Sequence, residues 1–249
     1  IIRSNGAQAV ISININSAGT AHLHNLKIVH TAATSKTPSD NSCAIDIYGQ
    51  GKPHITECDI VSIGGTAIQI RDGAGPLIVK NKIHDSRIGV KSTEYGLGEV
   101  KENDIFQCSQ ANARSEKYGE TIFKHNRLFD CTGVGIQVDN GGGHFFDNNV
   151  YNNTLGAVEV MNVRADINEV PLFERNNFHH HESCTISVHS RGQALFRNND
   201  ITECNGIGVK VATRGFPTME NNRIHGCKGC GVMVLNSGHG RFVDNEIHT

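Results

Sequence analysis

The chain has 249 residues, with 23 Lys and Arg against 25 Asp and Glu, 27 Gly and no Trp. The near balance of charge excludes the strong positive field that nucleic-acid or anionic-membrane binding draws on. No apolar run approaches the length of a membrane span, so no membrane partner is expected.

Alternation with a period of two begins at Ile13 and Ile15. Two degenerate units follow, Leu26-Lys27-Ile28 and Cys58-Asp59-Ile60. A tripeptide of Asn, any residue and an apolar residue then recurs: Asn81 to Ile83, Asn103 to Ile105, Asn126 to Leu128 and Asn148 to Val150. It continues through Asn176 to Phe178, Asn199 to Ile201, Asn222 to Ile224 and Asn245 to Ile247. From Ile28 the steps are 32, 23, 22, 23, 22, 28, 23, 23 and 23 residues. The two long steps mark insertions near 30–41 and 162–169. Such self-similarity signals a repeat architecture.

Each repeat carries short alternating stretches, too short and of the wrong period for helices. Three residues before each Asn stands an apolar column, Leu23, Ile55, Ile78, Val100, Phe123, Phe145, Phe173, Phe196, Met219 and Phe242. Eight residues after the tripeptide comes a pair such as Ile136 and Val138. One repeat cannot bury its apolar face alone, but stacked repeats close a continuous core. The expected fold is all-β, a right-handed parallel β-helix of about ten coils, with residues 1–249 forming one solenoid domain. Asn tolerates left-handed backbone and can bond the next rung through its amide, so the Asn column is expected at a buried bend.

Cys108, Cys131, Cys204 and Cys227 share one offset, three residues after the tripeptide, and form an inward column. Straight stacking of small buried side chains favours free thiols, which implies an intracellular protein with reduced cysteines. Neither Cys227-Lys228-Gly229-Cys230 nor the run His179 to Glu182 has metal-ligand spacing. In a strand, adjacent side chains point opposite ways. No metal site and no cofactor are expected.

The residue after each tripeptide points outward: His84, Phe106, Phe129, Tyr151, His179, Thr202, His225 and His248. The first five, His84, Phe106, Phe129, Tyr151 and His179, make an aromatic stripe that suits a peptide's apolar side chains, sugar rings or bases. Asp104, Asp200 and Glu246 alternate beside it with Lys82, Arg127 and Arg223.

The segments Pro76 to His84 and Cys131 to Val138 resemble the two halves of the parallel β-helix repeat shared by carbohydrate-binding proteins and sugar hydrolases. The resemblance covers nearly the whole chain. It is closest to the β-helix region of eukaryotic F-box and Shc-SH2-binding proteins, and it implies a pectin-lyase-like solenoid that recognises or scaffolds a protein partner without catalysis. The wider family also implies an alternative, a polysaccharide lyase, hydrolase or sugar binder. Gly238-His239-Gly240 matches one polygalacturonase element, but no Asp-Asp pair and no Arg-Ile-Lys accompany it, and Gly-x-Gly is the ordinary turn of this repeat. The best acid–base constellation is Asp139 with Glu159, roughly 8 Å apart from strand rise and spacing, flanked by Arg114, His189 and Lys210. That separation suits an inverting glycosidase pair. RNA binding through the stripe is the third expectation. Solenoid ends expose unpaired strand edges, so the natural chain is expected to continue beyond Thr249 and before Ile1, or to meet a partner there.

Overall fold

The computed structural model describes residues 1–6, 8–15, 20–32, 42–163 and 170–248. Both expected insertions fall largely on residues 33–41 and 164–169, outside the described residues. The chain runs in turn through three parallel sheets. Among the described residues, sheet A has eleven strands, from Ile2–Gly6 to Glu246–Ile247. Sheet B has ten, from Ile11–Ile15 to Val232–Val234, and sheet C has ten, from His22–His24 to Arg241–Val243. Each strand pairs in parallel with its equivalents one repeat before and after, which makes a right-handed parallel β-helix of about ten coils. No helix among the described residues is long and apolar enough to cross a membrane.

The repeat register read from the sequence is the register of the sheets. Ile105 lies opposite Leu128, Leu128 opposite Val150, and Val150 opposite Phe178. All four are fully buried. In sheet C, Phe123, Phe145, Phe173 and Phe196 occupy consecutive rungs. Their rings stack inside the rod at centroid separations of 5.1, 4.8 and 4.7 Å. Burying one such side chain contributes about 1.5–3 kcal/mol.

The bend between sheets C and A is built by the Asn column. Asn81, Asn103, Asn126, Asn148, Asn176, Asn199 and Asn222 are at most 2% exposed. Each donates from Nδ2 to Oδ1 of the next Asn at 2.9–3.1 Å. The same Oδ1 accepts the backbone N–H of the Asn one rung below at 2.9–3.0 Å. The second Nδ2 hydrogen reaches a carbonyl of the apolar column, such as Phe123 O at 2.9 Å from Asn148. The ladder therefore satisfies the groups that a tight buried corner would otherwise orphan.

One expectation about this corner is corrected. The left-handed residue is the one before the Asn: Lys80, Glu102, His125, Asp147, Arg175, Asn198, Asn221 and Asp244 have φ of 50–56°. The Asn needs its side chain inside the rod, so the preceding residue makes the reversal. Left-handed backbone costs non-glycine residues of order 1–3 kcal/mol and persists only where its surroundings over-determine it, as the ladder does here. Close stacking elsewhere requires glycine. A Cβ at Gly133 would lie 2.0 Å from the carbonyl oxygen of Gln110, one rung below.

The corner between sheets A and B carries the cysteine column, with two departures. First, where free thiols are expected throughout, the Sγ atoms of Cys204 and Cys227 stand at disulfide distance, their Cα atoms 4.5 Å apart. Straight stacking itself brings neighbouring rungs within the Cα separation a disulfide spans. Cys108 and Cys131, the other stacked pair, are free and buried. Second, the column is not all sulfur. Asn153 and His181 occupy the rungs between Cys131 and Cys204, and both are fully buried. Asn153 Oδ1 accepts from the Cys131 backbone at 3.0 Å and from Asn112 Nδ2 at 3.1 Å. His181 Nε2 donates to the Val150 carbonyl at 3.1 Å.

Candidate functional site

The outward column of sheet A is a continuous stack of rings. From His84 through Phe106, Phe129 and Tyr151 to His179, successive centroids are 4.8, 5.0, 5.0 and 5.1 Å apart. The planes of these neighbours differ by 2–14°. The strand spacing of a parallel sheet is close to the ring-to-ring distance that aromatic pairs prefer, so the repeat builds the stack without further adjustment. The geometry has a chemical consequence. Each inner ring spends both faces on its neighbours, and only ring edges point outward. Sugars and bases dock on open faces, and those faces are occupied.

Two polar rows flank the stack. On one side, along the same strands, the side chains alternate in sign. Lys27 pairs with Asp59 at 2.9 Å, Arg127 with Asp104 at 3.2 Å, and Arg223 with Asp200 at 3.8 Å and Glu246 at 3.5 Å. Burial works against the Asp59 carboxylate, but hydrogen bonds from Lys27 and His84 outweigh it and hold the group below its usual range. Arg127 lies 5.1 Å from the Phe129 ring centre and donates to Tyr151 Oη at 3.1 Å. On the other side stand Asp85, Gln107, Asp130, Asn152, His180 and Glu203, again left-handed, with φ of 48–56°. At the foot of the stack, Val61, Ile63, Gly64, Asp85, Ser86, Gln107 and Ser109 line an open recess of about 460 Å³.

The top of the stack departs from simple alternation. His180, being left-handed, turns its ring back against His179 at 80° and 4.9 Å between centroids. Burial and then the neighbouring His180 lower the His179 imidazole below its ordinary range. His181 instead points inward, and burial lowers it to about 4.

The second candidate lies on the outer face of sheet B. Gln137 is in register with Glu159, and Asp139 with Met161. The two carboxylates therefore sit one rung and two residues apart, as read from the sequence. Each has its own donors. Glu159 accepts from Gln137 Nε2 at 2.7 Å and His189 Nε2 at 3.1 Å. Asp139 accepts from Asn162 Nδ2 at 2.8 Å, with Arg114 at 3.7 Å. Sequence reasoning missed Glu116, in register with Asp139 and 2.7 Å from Arg114. It also missed Lys91, which meets Glu116 at 2.9 Å with side chains only 4% and 10% exposed. The signal was present, because Lys91 occupies the same column as Arg114 one rung below. Lys210 stacks beyond, opposite Ser187. Gly238-His239-Gly240 lies in the turn between Val232–Val234 and Arg241–Val243, the role its composition suggested.

Fold and repeat together define a right-handed parallel β-helix protein. The sequence matches the model of the right-handed β-helix region over residues 11–170 and 166–249, and the chain belongs to that family. No curated protein matches the sequence. Among solved structures it is similar to the enzymatically active domain of tailspike protein 2 from bacteriophage CBA120, at 11% identity and a TM-score of 0.45. That match covers 99% of this chain and 42% of the phage chain, so the chain spans under half of that protein. It is also similar to the A-module of the mannuronan C-5 epimerase AlgE4 from Azotobacter vinelandii, at 13% identity and a TM-score of 0.39. Here the match covers 92% of this chain and 87% of the other.

Proposed function

We propose that this chain is a non-catalytic recognition or scaffold module that binds a protein partner along the outer face of sheet A. One observation carries the reading: a five-ring ridge whose faces are closed and whose edges are presented between two polar rows. A ridge of edges suits a flat protein or peptide surface, where apolar side chains pack along it and hydrogen-bonding groups meet the flanking rows. Sugar and base stacking both need open ring faces, and the paired, alternating charges disfavour a nucleic-acid backbone. The sequence resemblance to the β-helix regions of F-box and Shc-SH2-binding proteins implies the same reading.

The test is site-specific photocrosslinking in native extract. A benzophenone amino acid at Phe129 should capture discrete protein species that the same probe at Tyr118, on a different corner of the rod, does not. Charge reversal at Arg127 should weaken the capture. Glycan-array binding that is lost on substituting Phe129, with no protein captured there, overturns the proposal.

The polysaccharide reading rests on a different face. Sheet B presents Lys91, Arg114, Glu116, Asp139, Glu159 and His189 on neighbouring rungs. It predicts turnover or binding of a charged polymer that is lost in the double variant Asp139→Asn, Glu159→Gln.

A further inference from the structure

The five-ring stack ends in a cluster with chemistry of its own. One ring nitrogen from each of His179 and His180 and a carboxylate oxygen of Glu203 lie within 4.8 Å of one another. Glu203 comes from the next rung. The left-handed backbone at His180 and again at Glu203 turns both side chains toward the corner beside His179.

A chain of contacts runs through these groups. His179 Nε2 lies 2.8 Å from Asn149 Oδ1, His179 Nδ1 faces His180 Nδ1 at 2.6 Å, and His180 Nε2 lies 2.9 Å from Glu203 Oε2. With Asn149 Oδ1 accepting, His179 Nδ1 is a lone pair and neutral His180 has one N–H for two acceptors, a conflict that a cation between the nitrogens removes. Turning the Asn149 amide over also removes it, because Nδ2 then donates to His179 Nε2 and His179 Nδ1 donates to His180; the experiment separates the two.

We infer that His179, His180 and Glu203 form a binding site for a divalent transition-metal ion, with Asn149 holding His179 in the ligating tautomer. Two imidazoles and a carboxylate are the donor set of zinc and its borderline neighbours, rather than of calcium or magnesium, which take oxygen. Metal–nitrogen bonds of about 2.0–2.1 Å place two ring nitrogens about 3.3 Å apart in a tetrahedral site. The pair needs to open by well under an ångström, and the half-exposed His180 ring is free to move that far. The Glu203 carboxylate, 57% exposed, leaves His180 Nε2 to reach an ion between the Nδ1 atoms, and the three protein donors then leave a coordination position for water or for a ligand from another molecule. The Nε2–H to Asn149 contact is the outer-sphere bond that orients a ligating histidine. This site goes beyond the proposed recognition surface and stands whether or not that surface binds protein.

The test is calorimetric titration of the tag-free, chelator-treated chain with zinc chloride near neutral pH. One saturable site is expected. His180→Ala should weaken it by about tenfold or more, and Asn149→Ala by a smaller factor. Far-UV circular dichroism checks that each variant remains folded, and Glu203→Gln supplies an independent arm should His180→Ala misfold. Excess calcium should leave the isotherm unchanged. Absence of saturable binding below about 1 mM overturns the site and assigns the contact to a hydrogen bond between the two rings. Binding that survives both His180→Ala and Glu203→Gln places the ion elsewhere and overturns it equally.

Discussion

Asn148→Ala perturbs the Asn ladder at its centre. The wild-type amide makes four bonds. Oδ1 accepts from the backbone N and from Nδ2 of Asn126, both at 3.0 Å. Nδ2 donates to Phe123 O at 2.9 Å and to Asn176 Oδ1 at 3.0 Å. Their fates after truncation differ. Asn126 Nδ2 keeps Val100 O at 2.8 Å, and Asn176 Oδ1 keeps the backbone N–H of residue 148. The backbone N–H of Asn126 loses its ladder partner in a corner that is 1% exposed. An orphaned buried donor costs about 1–3 kcal/mol, and lost but replaceable bonds about 1 kcal/mol more. The expected total is therefore about 2–4 kcal/mol. Stability in a solenoid is close to a sum of local and nearest-neighbour contributions, so the loss should be concentrated on the rungs of Asn126 and Asn176. Native-state hydrogen exchange reads this directly, alongside the urea midpoint of the whole chain. The control is Asn177→Ala, next in sequence to the ladder residue Asn176 but exposed, with an expected change within about 0.5 kcal/mol. If Asn148→Ala matches that control, with Asn126 protection unchanged, the ladder is not what holds this corner.

Phe145→Ala removes the middle of a fully buried stack and should cost about 3–5 kcal/mol by denaturant unfolding; under about 1 kcal/mol would show that the stack is loosely packed. His181 is depressed to about 4 by burial, so the unfolded chain binds its proton first. Stability should be fully present above the ordinary value of 6.5 and fall by about 3 kcal/mol as pH drops from there to about 4. His181→Asn should flatten that slope, and an unchanged slope would assign it to other groups. Burial, helped by Asp46 and opposed by Arg71 and Lys91, raises the Cys43 thiol to about 12, burial outweighing backbone hydrogen bonds raises Cys131 to about 12, and burial, helped by Cys131, raises Cys108 well above its ordinary range. In the native state Cys230, which is exposed, should be alkylated fast and these three slowly; equal rates by mass spectrometry would refute their burial. No turnover of pectin, alginate or other uronan polymers is expected, with or without calcium, and product formation would favour the sheet B reading.

The sequence by itself determined the coil length, the register and the contents of most columns. The reason is geometric: in a parallel β-helix each residue stacks on its equivalent one repeat away, so a constant offset along the chain becomes contact in space. The Phe column, the Asn ladder and the five-ring stripe were all legible as equal offsets. Asn153 and His181 were legible by the same arithmetic, since each falls three residues after its tripeptide, but a column defined by cysteine hid them. Tertiary structure alone decided the quantities that an offset does not encode. The left-handed backbone falls on residues as varied as Lys80, Glu102 and His125, because the corner sets their conformation and their own propensity does not. The same reversal at His180 breaks strand alternation and carries its ring to His179, where a pattern with a period of two placed it on the opposite side. Whether the stripe offers faces or edges depends on ring torsions, which packing between rungs sets. Whether two stacked cysteines stand at bonding distance depends on side-chain direction within a 4.5 Å step. Sequence position fixes which residues meet; the torsions at the corners decide what they present to each other and to solvent.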